Sequence, residues 1–311
     1  MKVLFIDDTH PVLYSIFEEK GWEVIVKNKT SKEELANELS QYQGIIVRSR
    51  MILDKDFITK GKNLKFIGRP GAGLENIDVE FAESQGIKVF RSPEGNRDSV
   101  AEHGIGMLLM LFNKLNQANS QVKQGIWDRK ANWGIELKGK TVGLIGYGVM
   151  GKAMAQRFSG FGVNCIVYDK YLSNYGDEFA KEVSLNEIYE KSDVVSLHTP
   201  LTQETKGMID KEYLSKFQKP IYFLNTARGQ SLVLNDLVEF LKSGKILGAC
   251  LDVLEYEKTN FEEMFKEDKT SAFDYLAKAE NVILSPHVAG WTEQSNVKIA
   301  KFLGEKIVSN F

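Results

Sequence analysis

Cysteine is nearly absent: the 311 residues hold only Cys165 and Cys250. Each lies inside an apolar, strand-like run, VNCIVY and GACLDV. Both therefore read as buried packing residues rather than a disulfide, which fits a reducing compartment and a cytoplasmic protein. Histidine is scarce as well, with four in the chain. No C-x-x-C or H-x-x-H spacing occurs, so no metal centre is expected. Long hydrophobic runs are also missing. The opening MKVLFIDD is too short for a signal peptide and ends on two acids. The longest later run, Gly104 to Phe112, is about half of what crosses a bilayer. A formal net charge of −2 gives no electrostatic footing for nucleic acid or an anionic membrane. No internal repeat or low-complexity linker stands out. What remains is a soluble chain, long for one core and comfortable for two α/β domains.

Short apolar segments alternate with amphipathic ones along the whole chain. Val3–Ile6, Trp22–Val26, Ile45–Val47, Phe66–Ile67 and Val89–Phe90 read as strands. Helical patterns lie between them near Pro11–Lys20, from Ser31, and around Asp54–Lys60 and Asp78–Ser84. Ser31 followed three residues later by Glu34 is a capping box. Strand–helix alternation with short turns predicts mostly parallel sheets covered on both faces, the α/β class. Val100–Gln121 reads as one long helix, so apolar in its first half that it must bury most of its surface. Gln124–Gly139, with two tryptophans and no periodicity, reads as an irregular arm. Further strands are expected at Val194–Leu197, Ile221–Leu224, Gly248–Val253 and Asn281–Leu284. Helices are expected at Leu185–Glu190, Leu234–Lys242 and Thr292–Val308, with charged irregular sequence from Glu255 to Lys278.

The most informative stretch is Gly139–Lys170. A buried strand, Thr141–Ile145, runs into Gly146, Gly148 and Gly151 at the spacing G-x-G-x-x-G. A helix with Met154, Phe158 and Phe161 facing inward follows, and a second strand, Val163–Tyr168, ends on Asp169. Strand, glycine triplet, helix, strand and acid in this register form a dinucleotide fingerprint. Gly146 makes the tight turn, Gly148 lets backbone approach a pyrophosphate, and Gly151 lets the helix pack on the strand. The helix N-terminus offers unpaired N–H groups to the phosphates.

Ligands of parallel sheets bind beyond the carboxyl ends of strands. That rule selects His198, Arg228, Asp252, the acids Glu255 and Glu257, and His287. On residue type alone each has two readings. His198 lines a cofactor pocket or packs at a strand end. Arg228, in TARG, grips a carboxylate through its planar fork or pairs with a surface acid. Glu255 and Glu257 serve the site or are solvated loop charges. His287, in SPHVAG, is a general acid/base or a structural histidine. His10 and His103 fall at or within helices and read as structural or surface residues.

Taken in order, GYGVMG, HTPLTQETKGMI, NTARG, LDVLEYE and SPHVAGWT resemble the D-isomer-specific 2-hydroxyacid dehydrogenases. RPGAGLENID and SPEGNRDSVAEH extend the likeness upstream, so it covers most of the chain. Within the family the chain looks most like the short phosphoglycerate dehydrogenases. The resemblance implies two doubly wound parallel-sheet domains. A Rossmann-type NAD domain (residues 100–286) would be inserted into a flavodoxin-like substrate domain (residues 1–99 plus 287–311). It also implies a homodimer built through the helix and arm of residues 100–139. Because the chain stops after its last helix, no C-terminal regulatory domain is expected.

By the same likeness Arg228 is the substrate-binding arginine, His287 the acid/base and Glu257 its acid partner. Lys258 departs from the proline usual after that glutamate, and the segment leading to His287 is longer than usual. Gly146, Gly148, Val149, Met150, Gly151, Asp169, Thr199, Thr226, Ala227, Asp252 and Gly290 fall at the cofactor, and Arg48, Ser49, Gly71, Ala72 and Gly73 at the substrate. Asp169 would accept from the ribose hydroxyls and repel a 2′-phosphate, favouring NAD, although Lys170 stands beside it. Asp252 would meet the nicotinamide amide. The implied reaction moves a hydride between NAD and a 2-hydroxy acid, with His287 exchanging the hydroxyl proton and Glu257 favouring the imidazolium. Arginines follow several N-terminal strands (Arg48, Arg50, Arg69, Arg91 and Arg97). Such a surplus of guanidiniums suits a phosphate, hence 3-phosphoglycerate and the first step of serine biosynthesis. The alternatives are a glyoxylate or hydroxypyruvate reductase with the same chemistry, and a corepressor-like protein that senses NAD without turning it over.

Overall fold

Twelve strands, all paired in parallel, form two sheets in the computed structural model, which describes residues 1–257 and 270–311. The first sheet holds β1 (Lys2–Phe5), β2 (Glu23–Val26), β3 (Gly44–Ile46), β4 (Phe66–Arg69) and β5 (Lys88–Arg91). Its order is β2-β1-β3-β4-β5, the flavodoxin-like arrangement. The second holds β6 (Thr141–Ile145), β7 (Asn164–Tyr168), β8 (Lys181–Glu182), β9 (Val194–Leu197), β10 (Ile221–Asn225), β11 (Ile246–Leu251) and β12 (Val282–Leu284). Its order, β12-β11-β10-β9-β6-β7-β8, reverses between β6 and β9. That reversal is the topological switch point of a Rossmann sheet, where the crevice for a ligand opens. The alternation of short apolar and amphipathic runs therefore corresponds to parallel sheets, as the α/β class requires.

The chain divides into two units, Met1–Asp98 with Trp291–Phe311 and Ser99–Glu257 with residues 270–290. In the first, the helix Glu293–Val308 buries Ala300, Leu303 and Ile307 against Leu13 and Phe17 of the helix Val12–Glu19. A second cluster on the other side of the sheet joins Leu4, Ile6, Ile45, Val47 and Ile67 to Leu35, Phe57 and Ile58. The helices there start where their caps dictate: Ser31 and Glu34 form the expected capping box, and Asp54 and Asp78 accept from Phe57 and Phe81 amides.

In the second unit, two apolar clusters cover the seven-stranded sheet. Cys165 lies in β7 and Cys250 in β11, and both are free thiols. Burial pushes Cys165 up to about 12 and raises Cys250 as well, so both stay protonated packing groups. One expected element differs. Val100–Gln121 is two helices, Arg97–Phe112 and Leu115–Lys123, broken at Lys114, whose φ of 49° is left-handed. Such a conformation is uncommon for a side chain other than glycine, and nothing in residue type marks the break. The first helix is buried around much of its circumference, as its composition requires. After it, Trp127 and Trp133 of the irregular arm are 79% and 75% exposed. The short strand β8 and the helix Lys211–Ser215 are additions to the expected elements. Of the irregular stretch Glu255–Lys278, the helix Ser271–Leu276 is described, whereas Lys258 lies outside the described residues.

Candidate active site

The glycine triplet follows β6 at the switch point. Gly146 has φ of 94°, and a Cβ there would meet the carbonyl of His198 at 2.8 Å. A Cβ on Gly151 would come within 2.2 Å of the Gly146 oxygen, so the helix Val149–Phe158 needs a bare backbone to start this close to the turn. Gly148 differs: a Cβ there would meet nothing within 4 Å. It caps the helix without any side-chain bond, leaving the amides of Val149 and Met150 at the helix start. At the ends of β9 and β10, the hydroxyl oxygens of Thr199 and Thr226 are buried with no hydrogen-bond partner among the described residues. An open glycine, an uncapped helix N-terminus and two unanswered hydroxyls along one sheet edge fit a dinucleotide.

Tyr147, between the first two glycines, is an addition that the motif spacing leaves unspecified. Its ring is fully buried, and its hydroxyl donates to Asp177 Oδ1 at 2.7 Å. Burial, then that bond, raises the Tyr147 phenol well above its ordinary value. Burial pushes Asp177 up, but bonds from Tyr147, Phe179 N and Ala180 N outweigh it and hold the carboxyl below its usual range. The pair ties the glycine turn to the segment after β7. In that segment Asp169 accepts from Tyr147 N (2.8 Å), Tyr171 N (2.9 Å) and Leu172 N (3.2 Å). Its own amide donates to the Tyr175 hydroxyl. Lys170 is paired with Glu204 at 2.9 Å. His198 places Nε2 2.8 Å from Ser196 Oγ, and burial pushes its imidazole down to about 4.

The acid/base candidates meet at the far end of the same sheet. His287 Nδ1 lies 2.7 Å from Glu257 Oε2. The other carboxylate oxygen, Oε1, accepts from Leu254 N at 2.6 Å, which fixes the side chain against its own turn. Glu255 points elsewhere and accepts from Leu234 N. His287 has φ of 55°, a left-handed backbone that costs about 1–3 kcal/mol and persists only where neighbours over-determine it. Its amide donates to Asp252 O at 2.7 Å. The resemblance puts Asp252 at the cofactor; here its carboxylate is 1% exposed and accepts from Ser285 Oγ, Val288 N and Ala289 N. His103, read from sequence as structural or surface, is part-buried with Nε2 2.9 Å from Ser285 Oγ. Gly290 closes the unit just after this turn.

Arg228 stands at the end of β10 in a turn cross-linked by buried Asn225, whose side chain accepts from Ala227 N and donates to Arg228 O. A Cβ on Gly229 would strike the Leu254 oxygen at 2.0 Å, so this turn packs directly on the segment that carries Glu257. The Arg228 guanidinium donates to Ala227 O at 2.7 Å.

In the first unit, Arg48 and Ser49 follow β3 and are half-buried, and the Arg48 guanidinium lies 5.6 Å from the Trp291 ring centre. Gly71 and Gly73 are buried and Ala72 half-buried after β4. The surplus of arginines needs a correction. Arg50 turns its guanidinium onto the carbonyls of Ile6, just after β1, and of Lys27 and Thr30, in the loop after β2. Arg69 donates to Arg48 O, Arg91 to Ala72 O, and Arg97 pairs with Asp98.

Residues 105–289 match the family described as D-isomer specific 2-hydroxyacid dehydrogenase, NAD binding domain. The chain is 37% identical, over 99% of its length, to a D-3-phosphoglycerate dehydrogenase of Archaeoglobus fulgidus. It spans 57% of that relative, and little more than half of the other phosphoglycerate dehydrogenases it matches. It is also 36% identical to a hydroxypyruvate reductase of Thermotoga maritima, covering 91% of this chain and 89% of that one. A D-lactate dehydrogenase of Aquifex aeolicus, solved with NAD and lactic acid, superposes with a TM-score of 0.83 at 28% identity, over 100% of this chain and 95% of that one. With a match across more than half of its length and a glycine turn built for a dinucleotide, the chain belongs to the D-isomer specific 2-hydroxyacid dehydrogenases and carries their NAD-binding domain.

Proposed function

We propose that this protein oxidises a 2-hydroxy acid to the 2-oxo acid, or runs the reverse, with 3-phosphoglycerate as its substrate. The observation that carries the chemistry is the 2.7 Å pairing of His287 with Glu257 beside the Arg228 turn. A bound NAD would supply the hydride acceptor for C2 of the substrate, or as NADH the donor. Gly146, Gly148, Val149, Met150, Gly151, Thr199, Thr226, Ala227 and Gly290 would hold it, with Asp169 on the ribose hydroxyls. Arg228 binds the substrate carboxylate through its fork and polarises the 2-oxygen, so the reacting atoms are held in alignment. With Nδ1 facing Glu257, Nε2 of His287 is the ring nitrogen that takes the hydroxyl proton in oxidation and gives it back in reduction. Glu257 fixes the ring orientation through its contact with Nδ1. Arg48, Ser49 and the amides of Gly71, Ala72 and Gly73 complete the substrate contacts in this reading, the first unit acting as substrate domain.

The choice of 3-phosphoglycerate is supported by relatives of that name from archaea, bacteria and mammals at 34–37% identity. A second reading, hydroxypyruvate reductase, is favoured by the Thermotoga relative, which this chain covers nearly end to end. One panel separates them: kcat/KM for 3-phosphoglycerate, glycerate with hydroxypyruvate, lactate with pyruvate, and glyoxylate, each at saturating NAD or NADH. A gain from the phosphate supports the first reading, and no gain over the unphosphorylated acid overturns it. The reading includes a cytoplasmic homodimer. Exposed Leu115, Val122, Ile126, Trp127 and Trp133 support the dimer, since so much apolar surface in one region marks an interface. Among the described residues no helix is long and apolar enough to cross a membrane.

A further inference from the structure

We infer that the helix Arg97–Phe112 holds the His287 turn in its working shape, with His103 as the positioning residue; this rests on reading His287 as the acid/base. Ser99, His103 and Met107 recur every four residues and so lie along one stripe of that helix. All three engage the segment around His287. Ser99 Oγ donates to Ala289 O at 2.6 Å. His103 Nε2 lies 2.9 Å from Ser285 Oγ, and Met107 Sδ lies 3.6 Å from the same oxygen.

The proton order along this path follows from what each group can do. The Asp252 carboxylate only accepts, so the single hydroxyl proton of Ser285 goes to its Oδ1 at 2.6 Å. Ser285 Oγ must then accept from His103, which places the His103 proton on Nε2. The same ring nitrogen is 3.5 Å from Asp252 Oδ1. His103 therefore orients Ser285, and Ser285 orients a buried carboxylate that in turn fixes the amides of Val288 and Ala289. Those are the two residues after left-handed His287, whose own amide bonds to Asp252 O. A left-handed histidine needs such over-determination, and the helix supplies it from outside the turn. His103 touches no reacting atom in this scheme; it acts through Ser285 and Asp252.

The test compares His103→Ala with His103→Gln, whose amide nitrogen reaches as far as Nε2 and can donate to Ser285. His103→Ala should lower kcat about 10–100-fold, the scale of a small misplacement of a reacting group. KM for NADH and the melting temperature should change little. Hydrogen exchange at the Val288 and Ala289 amides should become faster. His103→Gln should restore both kcat and the slow exchange. Unchanged kcat and exchange in His103→Ala, or a loss that follows a fall in melting temperature and is not restored by Gln, would overturn the inference. The exchange readout needs no turnover. A wild type that is inactive on every acid, yet loses protection at these two amides on His103→Ala, would sink the proposed activity and leave the positioning role standing.

Discussion

His287 and Glu257 stand 2.7 Å apart across thirty positions of sequence, and Glu257 is held in place by the amide of Leu254. Glu255, two residues earlier, is turned away to the amide of Leu234. The pair yields a sharp expectation. We predict that His287→Ala lowers kcat by about 10²–10⁴-fold, the usual contribution of a general acid/base. Glu257→Gln should leave the fold intact and lower kcat by less than His287→Ala does, because a neutral amide holds the ring N–H more weakly than a carboxylate. Glu255→Gln should leave kcat unchanged. A kcat that falls with Glu255→Gln instead would reassign the acid.

A second prediction concerns cofactor choice. Asp169 is held after β7 by three backbone amides, and Lys170, the nearest cation to it in sequence, is already paired with Glu204. The wild type should use NAD better than NADP. Asp169→Ala should weaken NAD binding far more than NADP binding, measured by titrating protein fluorescence. Equal or better use of NADP by the wild type would remove Asp169 from the ribose.

The third is a stability prediction. Burial holds the His198 imidazole down to about 4, against an ordinary value of 6.5. In the unfolded chain the ring binds a proton as pH falls through about 6.5, whereas the folded chain resists until about 4. The unfolded state thus binds more protons in that window, so the stabilisation is full above about 6.5 and is lost as pH falls toward 4. The loss is on the order of 3 kcal/mol. Urea unfolding at pH 7 and pH 4.5 should show a larger drop for the wild type than for His198→Gln. Equal drops would mean the ring does not titrate this way.

The fourth addresses assembly. Trp127 and Trp133 of the arm are both largely exposed apolar side chains of the second unit. Sedimentation equilibrium should give twice the 35.1 kDa of one chain. Trp127→Lys combined with Trp133→Lys should shift the mass toward one chain, because two desolvated charges oppose an apolar interface. A wild type that sediments as a single chain removes the dimer from the reading.

Much of the protein is written locally. Parallel strands follow from apolar runs too short for helices, and Ser31 and Glu34 start a helix because a capping box needs only residues three apart. The dinucleotide turn is local for the same reason: Gly146, Gly148 and Gly151 act within one turn and the first coil of one helix. Residue type also marked Arg228, His287 and the acids after β11 as the groups to inspect. It left Glu255 and Glu257 unresolved, because both follow the same strand and the choice depends on which carboxylate faces a histidine thirty residues away. Other features depend on partners farther still. His103 meets Ser285 across 182 positions, and no periodicity in a helix announces a hydrogen bond to a distant loop. Arg50 looks like an anion-binding residue in sequence, yet carbonyls from the end of β1 and from the loop after β2 converge on it and take its donors. The sequence by itself determined the class of fold and the phosphate-binding turn, because those rest on backbone geometry within a few residues. Tertiary structure alone decided which charges are paired, which are buried and which carboxylate holds His287, because electrostatics and hydrogen bonding depend on distances that only the packed chain sets.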